Sequence, residues 1–334
     1  MVTKRDEWLQ RTPEAPLEPS LPICDPHHHL WDRPGDRYFL EELLQDTRSG
    51  HNILSTVFIE CGSAYRKDGP EAMKPVGETE FVQAMAKSAS GPRERTRVVA
   101  GIIGYANLTL GAEVARVLEA HLAASPDRFR GIRHISVWDT DPAIPITAPV
   151  RMPGLMLDGT FRKGFACLKQ YKLGFEAWLY YHQLAELASL ARAFADVPIV
   201  LNHIGGVLGV GSYGGRRDAI FQDWKRGIVD VASCPNVVVK LGGLGMPRSG
   251  FGWEAQAAPP DSTELAAATA PYYLTCIEKF GPDRCMFESN FPVDKASYSY
   301  GVLWNSFKRM TKSFSAGERA ALFHDTAVRV YRLG

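Results

Sequence analysis

A run of three histidines near the start of the chain is the strongest chemical signal in the sequence. The run lies within Cys24–Trp31 (CDPHHHLW), which we interpret as a short buried strand. Side chains alternate between the two faces of a strand, so we expect Asp25, His27 and His29 on one face and His28 on the other. Two imidazoles spaced i, i+2 can bind one divalent cation, because neutral imidazole nitrogen is a favoured ligand of zinc and related ions. The alternative is a histidine cluster held by hydrogen bonds alone.

Other ionisable side chains occur in apolar runs that we predict to be strands. His203 follows the apolar run Ile199–Leu201 and precedes two glycines, where a barrel enzyme carries a reactive group or where a histidine only caps the strand. Arg133, Glu60 and Lys240 also lie in apolar runs, and a buried charge must be paired or functional. Two interpretations stay open for them: contact with an acidic or hydroxylated substrate, and ion pairs inside the fold.

The predicted fifth strand carries a carboxylate and two aromatic side chains on one face. These are Glu176, Trp178 and Tyr180, spaced two residues apart. They suit a substrate pocket, but Trp and Tyr also simply fill barrels. His134, next to Arg133, is expected to face the helices and to be structural.

Eight short β-branched runs alternate with helical patterns along the chain. We predict strands at Ile23–Trp31, Asn52–Cys61, Arg97–Ala106, Phe129–Trp138, Leu173–Tyr180, Pro198–Gly205, Asn236–Gly243 and Cys285–Phe291. We predict helices at Thr79–Ser90, Ala112–Ala124, Thr160–Tyr171, His182–Ala195, Arg217–Ser233, Thr263–Phe280, Ser299–Lys312 and Ala316–Tyr331. This pattern predicts an α/β fold, a (β/α)8 TIM barrel.

The predicted organisation is one domain with insertions at its rim. Residues 1–20 are polar and Pro-rich and are expected to form an extended N-terminal arm, whereas residues 21–334 form the barrel. The segments Asp139–Gly159, Gly205–Arg216 and Gly245–Asp261 are rich in Gly or Pro and follow strand ends. We therefore expect them to be rim loops that cover the substrate.

The first and eighth predicted strands resemble a known family. An H-x-H pair on the first strand is similar to the opening motif of the amidohydrolase superfamily, and Asp25–Asp32 (DPHHHLWD) resembles its branch of sugar-lactone lactonases and dicarboxylate-lactone hydrolases. The resemblance also covers Arg130–Arg133, Leu201–Gly205, Lys240–Leu244, Arg284–Pro292 and Thr326–Tyr331. It implies a divalent metal, zinc, held by His27, His29 and His203. It also implies hydrolysis of an ester-like bond, a lactone above all, with Arg133 holding the substrate.

The eighth strand departs from the family pattern at one position. The family carries an aspartate there, which binds metal and takes a proton from water, whereas this chain has Asn290. An amide can orient water but is not a useful base. Glu288 on the same face and Asp294 just past the strand are the leading replacements, and Asp25 and Glu60 are further candidates.

Two other functions compete with hydrolysis. A non-oxidative decarboxylase of an unsaturated or aromatic acid would use the same metal to chelate its substrate, and Asn290 favours this option because such a reaction need not take a proton from water. A non-catalytic barrel that binds a small molecule is the third hypothesis. The histidine run argues against it, since an inert pocket does not need those ligands.

The composition of the chain limits the classes of binding partner that we expect. A net charge of +1 without a basic stripe makes nucleic acid and anionic membranes poor candidates, so a small-molecule substrate is expected. Six cysteines without a C-x-x-C pair and an N-terminus without an apolar leader favour a reduced, cytoplasmic setting. Base rates alone favour a homodimer.

Overall fold

The barrel predicted from the alternating pattern is present. The computed structural model describes residues 3–89 and 95–334. Its main sheet consists of eight parallel strands: β1 Pro22–His28, β2 Asn52–Ile59, β3 Arg97–Gly104, β4 Phe129–Arg133, β5 Gly174–Ala177, β6 Ile199–Leu201, β7 Val237–Leu241 and β8 Cys285–Phe287. Each strand pairs with the next along the chain. A parallel bridge between His28 and Phe291 joins the two ends, so the chain forms a single-domain (β/α)8 barrel.

Helices cover the outside of the barrel. They lie at Lys4–Leu9, Leu40–Thr47, Val76–Ala89, Ala115–Ala124, Gly159–Gln170, Leu184–Ala193, Arg217–Ala232, Ser262–Phe280, Tyr300–Met310, Ala316–Ala320 and Thr326–Tyr331. The predicted helix Thr79–Ser90 is thus observed from Val76, and Ser90 lies outside the described residues. Across the described ranges, no helix combines the length with the hydropathy that crossing a membrane requires.

Several boundaries differ from the predictions for local reasons. The arm is not simply extended, because Thr3 and Asp6 form a reciprocal cap that starts the helix Lys4–Leu9. A two-stranded antiparallel pair, Trp31–Arg33 with Asp36–Tyr38, follows β1 and was not predicted. The predicted helix over residues 316–331 is interrupted by a π-helical turn at residues 321–325.

The barrel interior contains an apolar cluster, and the end of the chain closes it from below. Inward side chains from the strands form one buried cluster with residues near the C-terminus: Cys24, Val57, Ile59, Ala100, Ile103, Val200, Val238, Met286, Ala327, Tyr331 and Leu333. Arg97 and Arg130, at the starts of β3 and β4, donate to the carbonyls of Gly334 and Tyr331 over 3.1 and 2.7 Å. The Tyr331 hydroxyl donates to the carboxylate of Glu176 inside the barrel.

Removing the Tyr331 hydroxyl should destabilise the fold. Tyr331→Phe leaves one oxygen of buried Glu176 without its donor, so we expect the free energy of unfolding to fall by about 1–3 kcal/mol in urea denaturation. Tyr171→Phe is the matched control, because Tyr171 donates to Glu119 at the surface and its loss should change that free energy by less than about 0.5 kcal/mol. Equal losses in the two variants would contradict the role of the Tyr331–Glu176 contact.

Candidate active site

A cavity of about 540 Å³ opens at the carboxyl ends of the barrel strands. Its walls include His29, Glu60, Arg133, Trp178, His203 and Asn290, each at or just after the end of a strand. The connecting segments add Trp31, Arg33, Cys61, Tyr65, Tyr105, Met246, Arg248 and Val293. This is the end at which barrel enzymes carry their reactive groups.

The first strand does not alternate regularly, and this changes the predicted faces. Its pairing with β2 is irregular between residues 25 and 28. Cys24 therefore points into the barrel, whereas Asp25 accepts hydrogen bonds from Ser289 N and the Tyr300 hydroxyl, both over 3.0 Å, and faces the helical layer. The prediction that Asp25 shares a face with His27 is wrong, because the bulge shifts the register between them.

Two histidines and one carboxylate meet beneath the cavity, and we call this group the floor; of the three, His203 lines the cavity itself. Glu288 Oε1 lies 2.6 Å from His203 Nδ1, and Glu288 Oε2 lies 2.7 Å from His27 Nδ1. The ring centres of His27 and His203 are 4.6 Å apart. One potential ligand atom from each of the three lies within 4.8 Å of the others, although they come from distant parts of the chain.

Two glycines at the end of β7 make room for this group. His203 lies in a tight turn with a φ of 52°. A Cβ on Gly243 would lie 2.5 Å from the His203 side chain, and a Cβ on Gly242 would lie 2.4 Å from Glu288 Cγ. Both clashes are too close for any other residue without displacing the site. The Gly-Gly pair lies in Lys240–Leu244, one of the segments that resemble the family, but its role follows only from the folded structure.

His29 takes a different position from the one predicted. Its Nδ1 lies 2.8 Å from the carbonyl oxygen of Ile59, and its ring stands at 82° to that of His27, with the centres 5.0 Å apart. His29 lines the cavity beside the group formed by His27, His203 and Glu288. Of the three predicted ligands, His27 and His203 therefore lie together, and Glu288 is the third member of their group. A ligand role for His29 stays a prediction.

Two buried cations flank His27, and each has its own carboxylate. Arg133 Nε lies 2.7 Å from Glu60, and Lys240 Nζ lies 2.9 Å from Glu176. Arg133 and Lys240 also lie 3.4 and 3.3 Å from the two ring nitrogens of His27. Lys240 is fully buried, so the geometry corrects its predicted substrate contact to an internal ion pair. Arg133 pairs with Glu60, and because both side chains also line the cavity, their contact with a substrate stays a prediction.

Burial sets the protonation of the group. It lowers the pKa of His27, His29 and His203 well below the ordinary histidine value, and the nearby cations Lys240 and Arg133 lower it further. Burial also raises the pKa of Glu288 to about 8. The three imidazoles are therefore neutral near pH 7, the form in which histidine binds a metal.

The donor set fits a divalent cation. Although Glu288 Oε2 lies close to His27 Nδ1, that buried oxygen has no hydrogen-bond partner within the described part of the chain. A buried carboxylate oxygen with an open lone pair is costly unless a cation or proton satisfies it. Two neutral imidazoles and one carboxylate are also a common zinc ligand set.

Asn290 is held in place by Asp294. Asn290 has a φ of 56° and lines the cavity. Its amide nitrogen donates to Asp294 over 2.7 Å, which leaves the amide oxygen and the second N–H as the groups it can offer. Asp294 also accepts from the Tyr298 hydroxyl over 2.6 Å and from Gly245 N over 3.0 Å. Burial raises the pKa of Asp294 to about 7. Its carboxylate is occupied by these donors, so its geometry favours orienting Asn290 over acting as the predicted base.

Trp178 and Tyr180, which were predicted to lie on one face of a substrate pocket, take different positions. Trp178 lines the cavity, with its ring centre 4.7 Å from that of His203. Tyr180 does not line it: its hydroxyl donates to the Pro145 carbonyl and accepts from Arg248 over 2.9 Å. The predicted substrate contact of Tyr180 is therefore wrong, because the chain turns after β5 and points this side chain into the neighbouring loop.

Sequence reasoning missed two arginines of the cavity wall. Arg248 lies in the predicted rim loop 245–261, with its guanidinium 5.8 Å from the ring centre of Trp178. Arg33 stacks on Trp31 at 4.1 Å and donates to the carbonyl of Cys61 over 3.2 Å. Neither has a carboxylate within salt-bridge distance in the described ranges, so both leave uncompensated positive charge at the cavity.

Comparisons with known proteins identify the family. The family model for amidohydrolases, Amidohydro_2, matches residues 24–333. The chain is 33% identical over 335 residues to the uncharacterized protein y4mH of Sinorhizobium fredii, covering 94% of this chain and 99% of that protein. It is 25% identical over 276 residues to the L-fucono-1,5-lactonase of Burkholderia multivorans, covering 79% of this chain and 86% of that enzyme.

Solved structures agree with the fold. A zinc-bound amidohydrolase from Burkholderia multivorans superposes with a TM-score of 0.72 at 21% identity, over 93% of this chain and 99% of that one. A manganese-bound 5-carboxyvanillate decarboxylase from Novosphingobium aromaticivorans superposes with a TM-score of 0.56 at 13% identity, over 94% of this chain and 97% of that one. The predicted family is confirmed: this chain belongs to the amidohydrolase superfamily.

Proposed function

We propose that the protein is a metal-dependent hydrolase of an ester-like bond, acting on a lactone of a small carboxylic or hydroxylated acid. The observation that carries this proposal is the meeting of His27, His203 and Glu288 beneath a cavity whose wall includes Arg133. Family membership supports hydrolysis, and the 25% identity to a lactonase supports the choice of bond.

His27, His203 and Glu288 are the residues that would hold the metal. When bound, a divalent metal such as zinc polarises a carbonyl and lowers the pKa of water. The group is buried, and Lys240 and Arg133 already have carboxylate partners, so Glu288 has no cationic partner of its own in the described ranges, and a metal would take the place of the proton that burial favours on it. The three side chains are therefore fixed by packing before any ligand arrives.

The remaining residues bind and orient the reactants. Arg133 presents its guanidinium to the cavity while Glu60 fixes the orientation of that group, which suits a carboxylate or hydroxyl of the substrate. Asn290 offers its amide oxygen to a water molecule, while its bond to Asp294 fixes the orientation of the amide. Glu288, the predicted base, would accept the water proton, since a bound cation would displace the proton that burial favours on its carboxylate.

Decarboxylation is the second candidate, and Asn290 is the observation that favours it. The amide replaces the aspartate that the family uses to take a proton from water, and losing carbon dioxide does not need that step. The uncompensated Arg33 and Arg248 would serve an aromatic or unsaturated acid equally well. Whether water enters the product therefore separates the two candidates.

Metal binding should depend on the two histidines of the floor. We expect purified wild-type protein to bind about one equivalent of zinc by calorimetry and elemental analysis, and His27→Ala and His203→Ala each to weaken binding by at least about tenfold. His324→Ala is the control, because His324 lies on the C-terminal helical segment and pairs with Asp325. Undiminished zinc binding by both variants would rule out this site.

The reaction itself should incorporate water. Incubation with a panel of sugar-acid and dicarboxylate lactones in ¹⁸O-labelled water should give a ring-opened acid carrying one ¹⁸O, with no carbon dioxide released. Arg133→Gln with Glu60→Gln, which removes both charges of the pair, should raise KM for carboxylated lactones roughly 10–100-fold. Release of carbon dioxide without ¹⁸O incorporation would instead establish the decarboxylase.

A further inference from the structure

The N-terminal arm contacts two rim segments that border the cavity. The arm precedes the part of the chain matched by the family model, which begins at residue 24. It contacts the loop at residues 245–261, which carries Met246 and Arg248 of the cavity wall. It also contacts the segment after β8, which carries Asn290 and Val293 of the same wall.

Three side chains of the arm donate to backbone carbonyls of the loop. The Trp8 indole donates to Gln256 O over 2.9 Å, Arg11 donates to Ala257 O over 2.8 Å, and the Thr12 hydroxyl donates to Pro259 O over 2.9 Å. Within the described ranges these carbonyls have no other donor. The loop sequence from 256 to 260, QAAPP, contains two prolines, which have no N–H to donate to these carbonyls. The arm thus satisfies acceptors that the loop leaves open.

The arm is anchored on the second segment by its first residues. Arg5 donates to the carbonyl of Ala296 over 2.8 Å, and Asp6 lies 3.0 Å from Lys295 Nζ. Both partners lie within six residues of Asn290 along the chain. The same short helix therefore ties together the two segments that close one side of the cavity.

Aromatic rings and two hydrogen bonds connect the loop to Asn290 in the cavity wall. Phe251 and Trp253 of the loop stack with their centres 4.3 Å apart, and Trp253 meets Tyr298 at 5.9 Å. Tyr298 donates to Asp294, which holds Asn290. A shift of the loop would therefore reach the side chain of Asn290 as well as Arg248.

We infer that Trp8, Arg11 and Thr12 are positioning residues, which hold the loop 245–261 so that Arg248 faces the substrate cavity. Their hydrogen bonds lie near the surface and each contributes little by itself, so all three must be removed together to loosen the loop. The inference rests on the proposed function only for its effect on substrate binding; the ordering of the loop does not depend on it.

The test compares two surface variants of the full-length chain. Trp8→Phe with Arg11→Met and Thr12→Val removes the three donors while keeping most of the side-chain volume. Glu18→Gln is the matched control, because it breaks the arm's ion pair with Arg319, 2.7 Å away, without touching the loop. Circular dichroism and the unfolding transition verify that both variants fold.

Two readouts decide the inference. Hydrogen exchange of peptides from residues 245–261 should accelerate at least about tenfold in the triple variant and stay unchanged in Glu18→Gln. For the hydrolysed lactone, KM should rise about threefold or more while kcat changes by less than about twofold. Unchanged exchange overturns the inference even if no substrate is found, and faster exchange with unchanged KM overturns the positioning of Arg248.

Discussion

The balance of charge on the buried floor of the barrel is the constraint on which the rest of the structure depends. Lys240 is paired with Glu176, and Arg133 with Glu60, so these four side chains cancel. What remains is Glu288 between two neutral imidazoles, with one oxygen unsatisfied. A lone carboxylate in such surroundings must either take a proton, as its raised pKa indicates, or bind a cation. The chemistry of the site follows from this carboxylate, which has no cationic partner of its own in the part of the chain that the structure describes.

The barrel supplies the rigidity that this balance requires. The floor draws on β1, β6 and β8, which only a closed sheet brings together, and the bridge from His28 to Phe291 makes that closure. Below the floor, the Tyr331 hydroxyl donates to Glu176, so a residue near the end of the chain also holds the carboxylate that pairs with Lys240. Above it, the walls are loops, which allows substrate recognition to vary while the floor stays fixed.

Much of the architecture could be predicted from the sequence because it depends on periodic burial. The eight strand and helix pairs follow from alternating apolar patterns, and the carboxyl ends of the strands then fix where His203, Arg133 and Asn290 meet. The bulge in β1 was missed although Pro26 marks it, since proline has no N–H for the ladder and inside a sheet is confined to edges and bulges. The regular alternation therefore placed Asp25 on the wrong face.

Contacts between distant segments were the other feature that could not be predicted from the sequence. Glu288 was predicted as a base from its spacing to Asn290, but its position between two histidines requires the turn at His203 and the glycines after β7. Arg248 lies in a loop without periodicity, and the arm's contacts with that loop depend on backbone carbonyls, which leave no trace in the side-chain sequence.

The zinc K-edge X-ray absorption spectrum of the zinc-loaded protein tests the central claim most directly. If the floor holds the cation, the spectrum shows the multiple-scattering pattern of two imidazoles together with carboxylate oxygen, and replacing His203 by alanine reduces the imidazole count by one. A first shell of water oxygen alone, or one containing cysteine sulfur, would contradict the assignment of His27, His203 and Glu288 as the metal site.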